Sequence, residues 1–217
     1  MPKRRSKGFA NPAQTWDARF STEDYIFGTA PNVWLIQHRD LLPAGGRVLA
    51  VADGEGRNSV WLAQQGMQVD AFDISPIGVS KATKLAQQAN VQVNYQVCGA
   101  DKFDWKPEAY DAVVAIFIQF ADPDARARLF AHMKLALKPN GLIVLQGYTP
   151  KQLDYRTGGP PSLDHLYTEE LLREAFNDMT IVELQAYEAV LAEGTQHSGR
   201  SALIGMVARN TAGSIAQ

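Results

Sequence analysis

Five short apolar segments, at residues 48–52, 67–72, 91–97, 110–117 and 142–148, alternate with stretches of helical periodicity through the middle of the chain. Strands alternating with helices at this spacing predict a parallel sheet with right-handed crossovers. The segment 110–117 is almost unbroken in its apolar character, as expected for a strand covered on both faces. Ser75 followed by Pro76 predicts a helix start, with the helix running to about residue 90. Asp122-Pro123 predicts another, ending near residues 137–141, and Thr168 with the two glutamates after it carries a capping signature. A further helix is expected between Pro31-Asn32 and Pro43. Beyond residue 151 the pattern changes. Residues 152–161 read as irregular, and 180–190 and 201–207 read as two strands joined by a polar connection over 191–200.

The fold class expected is therefore α/β, Rossmann-like and doubly wound. It has a mostly parallel seven-stranded sheet closed by a C-terminal antiparallel hairpin. No internal repeat or second domain is visible, so residues 13–210 are expected to form one domain. Residues 1–12 read as a disordered basic tail and 211–217 as a second disordered tail.

In open sheets of this kind ligands collect at the carboxyl ends of the strands, near the switch in strand order. Asp53, Gly54, Asp73, Asp101 and Gln119 all fall there. Gly54 and Gly56 follow the first strand, where positive φ and a bare backbone allow close approach. The N–H groups of the helix that follows, from about Asn58, have no partners inside it and favour ligand oxygens. The stretch suits a small polar molecule.

Composition narrows the alternatives. A formal net charge of −2 argues against a general nucleic-acid-binding surface. A single cysteine, Cys98, rules out an internal disulfide and makes a cytoplasmic home the simpler expectation. No apolar run is long enough to span a bilayer, so no membrane partner is expected. No set of His, Cys and carboxylate residues has metal-ligand spacing, so no metal is expected. A monomer or a homodimer acting on a small molecule fits these bounds.

The turn over residues 47–58, Asp73 at the end of the second strand, the pair Ala100-Asp101, and the segment 137–144 together resemble the class I S-adenosylmethionine-dependent methyltransferases. Within that superfamily the chain is most similar to the tellurite-resistance-type methyltransferases. That likeness rests on Tyr25 to Gly28 with Pro31-Asn32, on the run from Gly54 to Asn58, and on Glu193-Gly194 with His197 before a last strand ending at Arg209. The resemblance implies S-adenosyl-L-methionine as cofactor and S-adenosyl-L-homocysteine as product. It implies that Asp73, with Ile74 beside it, binds the ribose hydroxyls and that Ala100-Asp101 read the adenine edge. Asp53, Gly54, Gly56 and Asn58 would line the rest of the cofactor site, with Phe27, Gly28 and Phe117 at the methionine end. An aromatic face there can meet a sulfonium by cation–π attraction. Two positions depart from the family pattern. Ala50 stands where an acid is usual and Ala52 where a glycine is usual, so Asp53 is the expected substitute for the missing acid.

The resemblance also places His197 at the substrate mouth, as a base that titrates near neutrality. Trp16, Tyr25, Gln119, Tyr155, Arg156 and Arg200 are the remaining candidates for the acceptor side, the two arginines as attractors of an anion. The acceptor implied is a small, soft nucleophile: a chalcogen oxyanion, a thiol or a small organic molecule. A nicotinamide-dependent oxidoreductase shares the glycine turn, but Ser59 stands where its third glycine would fall. A cofactor-binding sensor without chemistry is the non-enzyme alternative. A nucleic-acid methyltransferase is disfavoured, because residues 118–121 lack a Pro-Pro-Tyr signature.

Overall fold

The computed structural model describes residues 11–211, and the remainder of both expected tails lies outside the described residues. Of the N-terminal tail, Asn11 and Pro12 are described. Asn11 accepts the Gln14 N–H as the cap of the first helix and Pro12 opens it. The elements run α1 (Pro12–Phe20), α2 (Val33–Gln37), β1 (Arg47–Val51), α3 (Arg57–Gln64), β2 (Gln68–Asp73), α4 (Pro76–Gln88) and β3 (Asn94–Val97). They continue with β4 (Tyr110–Ile116), α5 (Pro123–Ala136), β5 (Leu137–Tyr148), α6 (Gln152–Tyr155), α7 (Glu169–Ala175), β6 (Thr180–Glu193) and β7 (His197–Arg209).

All seven strands form one sheet in the order β3-β2-β1-β4-β5-β7-β6. The first five are parallel, while β7 lies antiparallel to both β5 and β6. This is the mostly parallel sheet with an antiparallel close that the sequence predicts. The capping signals also hold: Asn32, Ser75, Asp122 and Thr168 each accept a backbone N–H three residues on.

Alternate residues of the central strands point to opposite faces. Leu49, Val51, Val113, Ala115, Ile143 and Leu145 pack on one side with Phe130, Met133, Tyr167 and Phe176. Val48, Ala112, Val114, Leu142 and Val144 pack on the other with Trp34, Leu35 and Leu62. Each fully buried side chain of this size contributes roughly 1.5–3 kcal/mol of transfer energy. Two apolar faces explain why these strands read as continuous apolar runs.

Two expectations are corrected. β3 begins at Asn94 and not at residue 91, because Asn90 takes φ +54 and the Val91 N–H folds back onto the Ala86 carbonyl to finish α4. The last two strands are longer than expected and run to Glu193 and from His197, so only residues 194–196 form the turn. The polar residues read as a connection are the outer part of this hairpin, whose exposed residues alternate with inward ones.

Candidate active site

The first half of the site is built where β1 and β2 end. Gly54 N–H donates to Asp73 Oδ2 at 2.9 Å and Ser75 N–H donates to Oδ1 at 2.9 Å, which fixes a buried carboxylate at the strand end. Burial raises the Asp73 carboxyl to about 6, partly offset by the N–H groups of Ser75 and Gly54. Ile74 follows, beside Gly99. Gly99 has no positive φ, so its conformation does not demand glycine; the space does. A Cβ there would stand 2.9 Å from Asp101 Oδ1 and 3.5 Å from Ile74 Cδ1. Ile74, Gly99 and Asp101 are thus brought together, with Ala100 held against the core by a hydrogen bond from the Trp105 indole to its carbonyl.

The glycine turn itself faces protein more than sequence suggests. Asp53 turns to α3, where it accepts the Ser59 N–H at 3.3 Å and the Ser59 hydroxyl, which in turn meets the Tyr95 hydroxyl. It caps the helix start that the sequence offers to ligand oxygens. Burial raises its carboxyl to about 7. Gly56, at φ +92, is required by packing, since a Cβ would lie 2.6 Å from the Ala82 Cβ on α4. The Asn58 side chain accepts the Asn32 N–H at 3.0 Å.

α1 and the segment after it cover this turn. The Phe20 ring lies against Gly54, and Trp16 stacks on Phe20 with centroids 5.4 Å apart. Tyr25 donates to the Lys81 carbonyl on α4 and has its ring beneath the Lys81 ammonium, so it serves to dock the segment. Lys81 also donates to the carbonyls of Thr22 and Asp24 and pairs with the buried Glu55. The Ile26 carbonyl accepts the N–H groups of Thr195 and Gln196, and Gly28 lies against the backbone of Gly194.

The second half of the site lies at the ends of β4, β5 and β7. His197 opens β7 and is only 7 % exposed, which corrects its expected place on a polar connection. Its ring has Phe27 and Phe117 each at 4.4 Å between centroids, with Tyr148 edge-on at 5.8 Å. Phe117 holds a φ of +57, a strained conformation for an aromatic residue. Burial lowers the His197 pKa, leaving a neutral imidazole at pH 7. Nδ1 stands 3.6 Å from Glu193 Oε2, beyond hydrogen-bond reach.

Of the other acceptor-side candidates, Gln119, Tyr155, Arg156 and Arg200 lie apart from this cluster of rings. Gln119 is buried, but its amide is spent on the backbone of Tyr148 and His165. Tyr155 and Arg200 both bond Glu188 on the outer surface of the hairpin, Arg200 being 66 % exposed at its side chain. Arg156 is exposed as well. Neither arginine faces His197.

Sequence reasoning missed the polar frame beside His197. Arg57 pairs with Glu193 at 2.9 Å, and the Asn32 amide donates to both Glu193 Oε1 and Gln146 Oε1. Gln146 in turn donates to the Tyr187 hydroxyl. The only sequence signal was the presence of Arg57 and Glu193 in short conspicuous runs; their pairing spans 136 residues. Tyr148 was missed too, although it ends a strand on the ligand-binding side of the sheet.

Residues 48–141 match the family model described as a methyltransferase domain. This segment, less than half of the chain, is similar to a methyltransferase domain. The ubiquinone biosynthesis O-methyltransferase of Xanthomonas axonopodis pv. citri (strain 306) is 36% identical over 106 residues, which make up 48% of this chain and 44% of that protein. The match thus spans less than half the length of the curated relative. A structure solved for the conversion of a disulfide bond into a thioacetal group during echinomycin biosynthesis superposes with a TM-score of 0.78 at 17% identity, covering 94% of both chains. TehB from Haemophilus influenzae superposes at 0.67 with 16% identity, over 91% of this chain and 66% of that one. Magnesium protoporphyrin IX methyltransferase (ChlM) from Synechocystis PCC 6803, solved with bound SAH, gives 0.59 at 20% identity, over 91% and 82%. These likenesses establish the fold.

S-adenosylmethionine is the cofactor that such a domain implies, and the strand ends fit it. They offer a fixed buried carboxylate at Asp73 and, at Gly99, a backbone packed so closely on Asp101 that a Cβ would clash.

Proposed function

We propose that the chain transfers a methyl group from S-adenosylmethionine to a small, soft nucleophile held against His197. The observation that carries this reading is the pairing of two half-sites at the strand ends. The Asp73 carboxylate lies on one side, bonded to the glycine turn. On the other is a buried neutral imidazole between two aromatic rings.

The bound cofactor would supply an activated methyl group on a sulfonium. Asp73 would hold the ribose hydroxyls, with Ile74, Ala100 and Asp101 around the adenine. Phe27 and Phe117 would face the sulfonium, where ring faces attract positive charge. Because the methyl group arrives activated, the protein has mainly to align the acceptor and exclude water. α1 and the segment to Gly28 serve the second task by covering the turn. His197 takes the proton of an acceptor that arrives protonated. A soft acceptor agrees with the sulfur chemistry named for the echinomycin protein, and the likeness to TehB agrees with the tellurite-resistance subtype. The relatives found by sequence are ubiquinone O-methyltransferases, so an oxygen acceptor belongs in any screen.

Incubation with methyl-labelled cofactor and a panel of thiols, phenols, tellurite and selenite tests the reading by mass spectrometry of the products. His197→Gln should lower turnover about 10²-fold or more while leaving cofactor affinity intact. Equal loss of both would make His197 structural, and no methylated product from the panel would remove the proposal.

A further inference from the structure

Tyr148, the last residue of β5, is 1 % exposed and stacks on Phe117 at 4.7 Å. Among the described residues its hydroxyl has no hydrogen-bond partner, and neither does His197 Nδ1. A buried polar group left unsatisfied costs about 1–3 kcal/mol, so a chain that needed only the ring would be better served by phenylalanine. Two such atoms on adjacent rings of one buried cluster mark a place where something else completes their bonding.

The segment expected to be irregular closes over this place. A Cβ on Gly158 would stand 3.0 Å from the Tyr148 hydroxyl and 3.6 Å from His197 Cδ2, and one on Gly159 would stand 2.8 Å from Tyr148 Cδ2. Gln152 fixes the segment by donating to the Thr157 hydroxyl and the Gly158 carbonyl and by accepting the Ala202 N–H. Beneath it Tyr148 packs with Leu166, Leu191 and Leu203.

The charges around His197 select among acceptors. Arg57 is engaged by Glu193, whose carboxylate approaches His197 to 3.6 Å, and Arg156 and Arg200 face outward. Arg19 rests over the Trp16 and Phe27 rings and donates to Gln196. An oxyanion beside His197 would meet apolar walls and an arginine already neutralised by Glu193, at a high desolvation cost. A neutral acceptor avoids that cost. Among neutral protic nucleophiles, a thiol, with a pKa of about 8.5, lies closest to an imidazole base.

Resting on the methyltransferase reading above, we propose that Tyr148 is a second catalytic residue and that the acceptor is a small neutral thiol. The Tyr148 hydroxyl donates a hydrogen bond to the acceptor sulfur. The thiol proton passes to the His197 imidazole while a sulfur electron pair forms the new bond to the methyl carbon. The old carbon–sulfonium bond breaks with its electron pair left on the departing thioether, and the imidazolium later releases its proton to solvent. The hydroxyl steadies the thiolate character that develops at sulfur.

The test compares wild type, Tyr148→Phe and His197→Gln with 2-mercaptoethanol, thiophenol, phenol and tellurite as acceptors. It also records S-adenosylhomocysteine affinity by calorimetry and the thermal midpoint. Tyr148→Phe should lower kcat/KM for the thiols about 10- to 100-fold, leave S-adenosylhomocysteine affinity unchanged and leave the midpoint equal or higher. Full thiol activity in Tyr148→Phe, a fall of midpoint together with activity, or a preference for phenol or tellurite over thiols would overturn the proposal. Failure of wild type to bind S-adenosylhomocysteine would instead remove the methyltransferase reading and this proposal with it.

Discussion

The Arg57 guanidinium and the Glu193 carboxylate, 2.9 Å apart, join the start of α3 to the tip of the β6–β7 hairpin, with both side chains more than nine-tenths buried. Removing one partner strands a charge, whereas removing both does not. Glu193→Ala should cost about 3–5 kcal/mol, and Arg57→Met with Glu193→Leu should recover most of it. Urea unfolding measures both, and a loss below about 1 kcal/mol in the single variant would mean that solvent reaches the pair.

Ala52 holds φ +48 at the end of β1, in a region that side chains with a Cβ avoid. The family's usual glycine has no such penalty. Ala52→Gly should raise stability by about 0.5–1 kcal/mol after the entropy cost of glycine, seen as a thermal midpoint higher by about 1–4 °C. A lower midpoint would show that packing of the Ala52 methyl outweighs the backbone strain.

Gly56 shows the opposite case. Gly56→Ala puts a methyl group 2.6 Å from the Ala82 Cβ and 2.8 Å from its Cα at an unfavourable φ. The expected loss is about 2–5 kcal/mol. Adding Ala82→Gly should restore part of it, since only the clash and not the φ strain is relieved. No loss at all would contradict the close packing of α3 on α4.

The two carboxyls at the glycine turn set a pH dependence. Burial holds Asp53 up at about 7 and Asp73 at about 6, with Asp17 also raising the latter. Unfolded, both lie near about 3.9. Between about pH 4 and 7 the native state therefore binds more protons than the unfolded state, and these groups make stability fall as pH rises. Ligand-free protein should melt at a higher temperature near pH 5 than near pH 7.5.

Binding runs the other way. Ribose hydroxyls need the ionised Asp73 carboxylate as acceptor, so S-adenosylhomocysteine affinity should weaken as pH falls through about 6. The loss approaches about tenfold per unit below that point, and Asp73→Asn should abolish the dependence. Affinity independent of pH from 5 to 8 in the wild type would separate Asp73 from the ligand.

Much of the fold was legible because the strands are covered on both faces and the helix starts carry polar caps. Those signals are local: an apolar run at residues 110–117, or Ser75 before Pro76, reads the same in any context. The position of Asp73 at a strand end was legible for the same reason. What failed was orientation. Asp53 sits at the right place in the chain, yet its carboxylate turns to Ser59, a choice set by the helix it caps. His197 looked like a loop residue because its neighbours are polar, although the hairpin buries it against Phe27 and Phe117, distant in sequence. Arg156 and Arg200 lie exposed, and charge composition does not say which way a side chain faces.

The most direct measurement of the central claim is calorimetric titration of wild type and Asp73→Ala with S-adenosylmethionine, S-adenosylhomocysteine and NADH. Micromolar binding of both sulfur compounds by the wild type, a large loss in Asp73→Ala, and no heat from NADH are the predicted results. Binding of neither sulfur compound, or affinity unchanged by Asp73→Ala, would contradict the cofactor site described at the ends of β1 and β2.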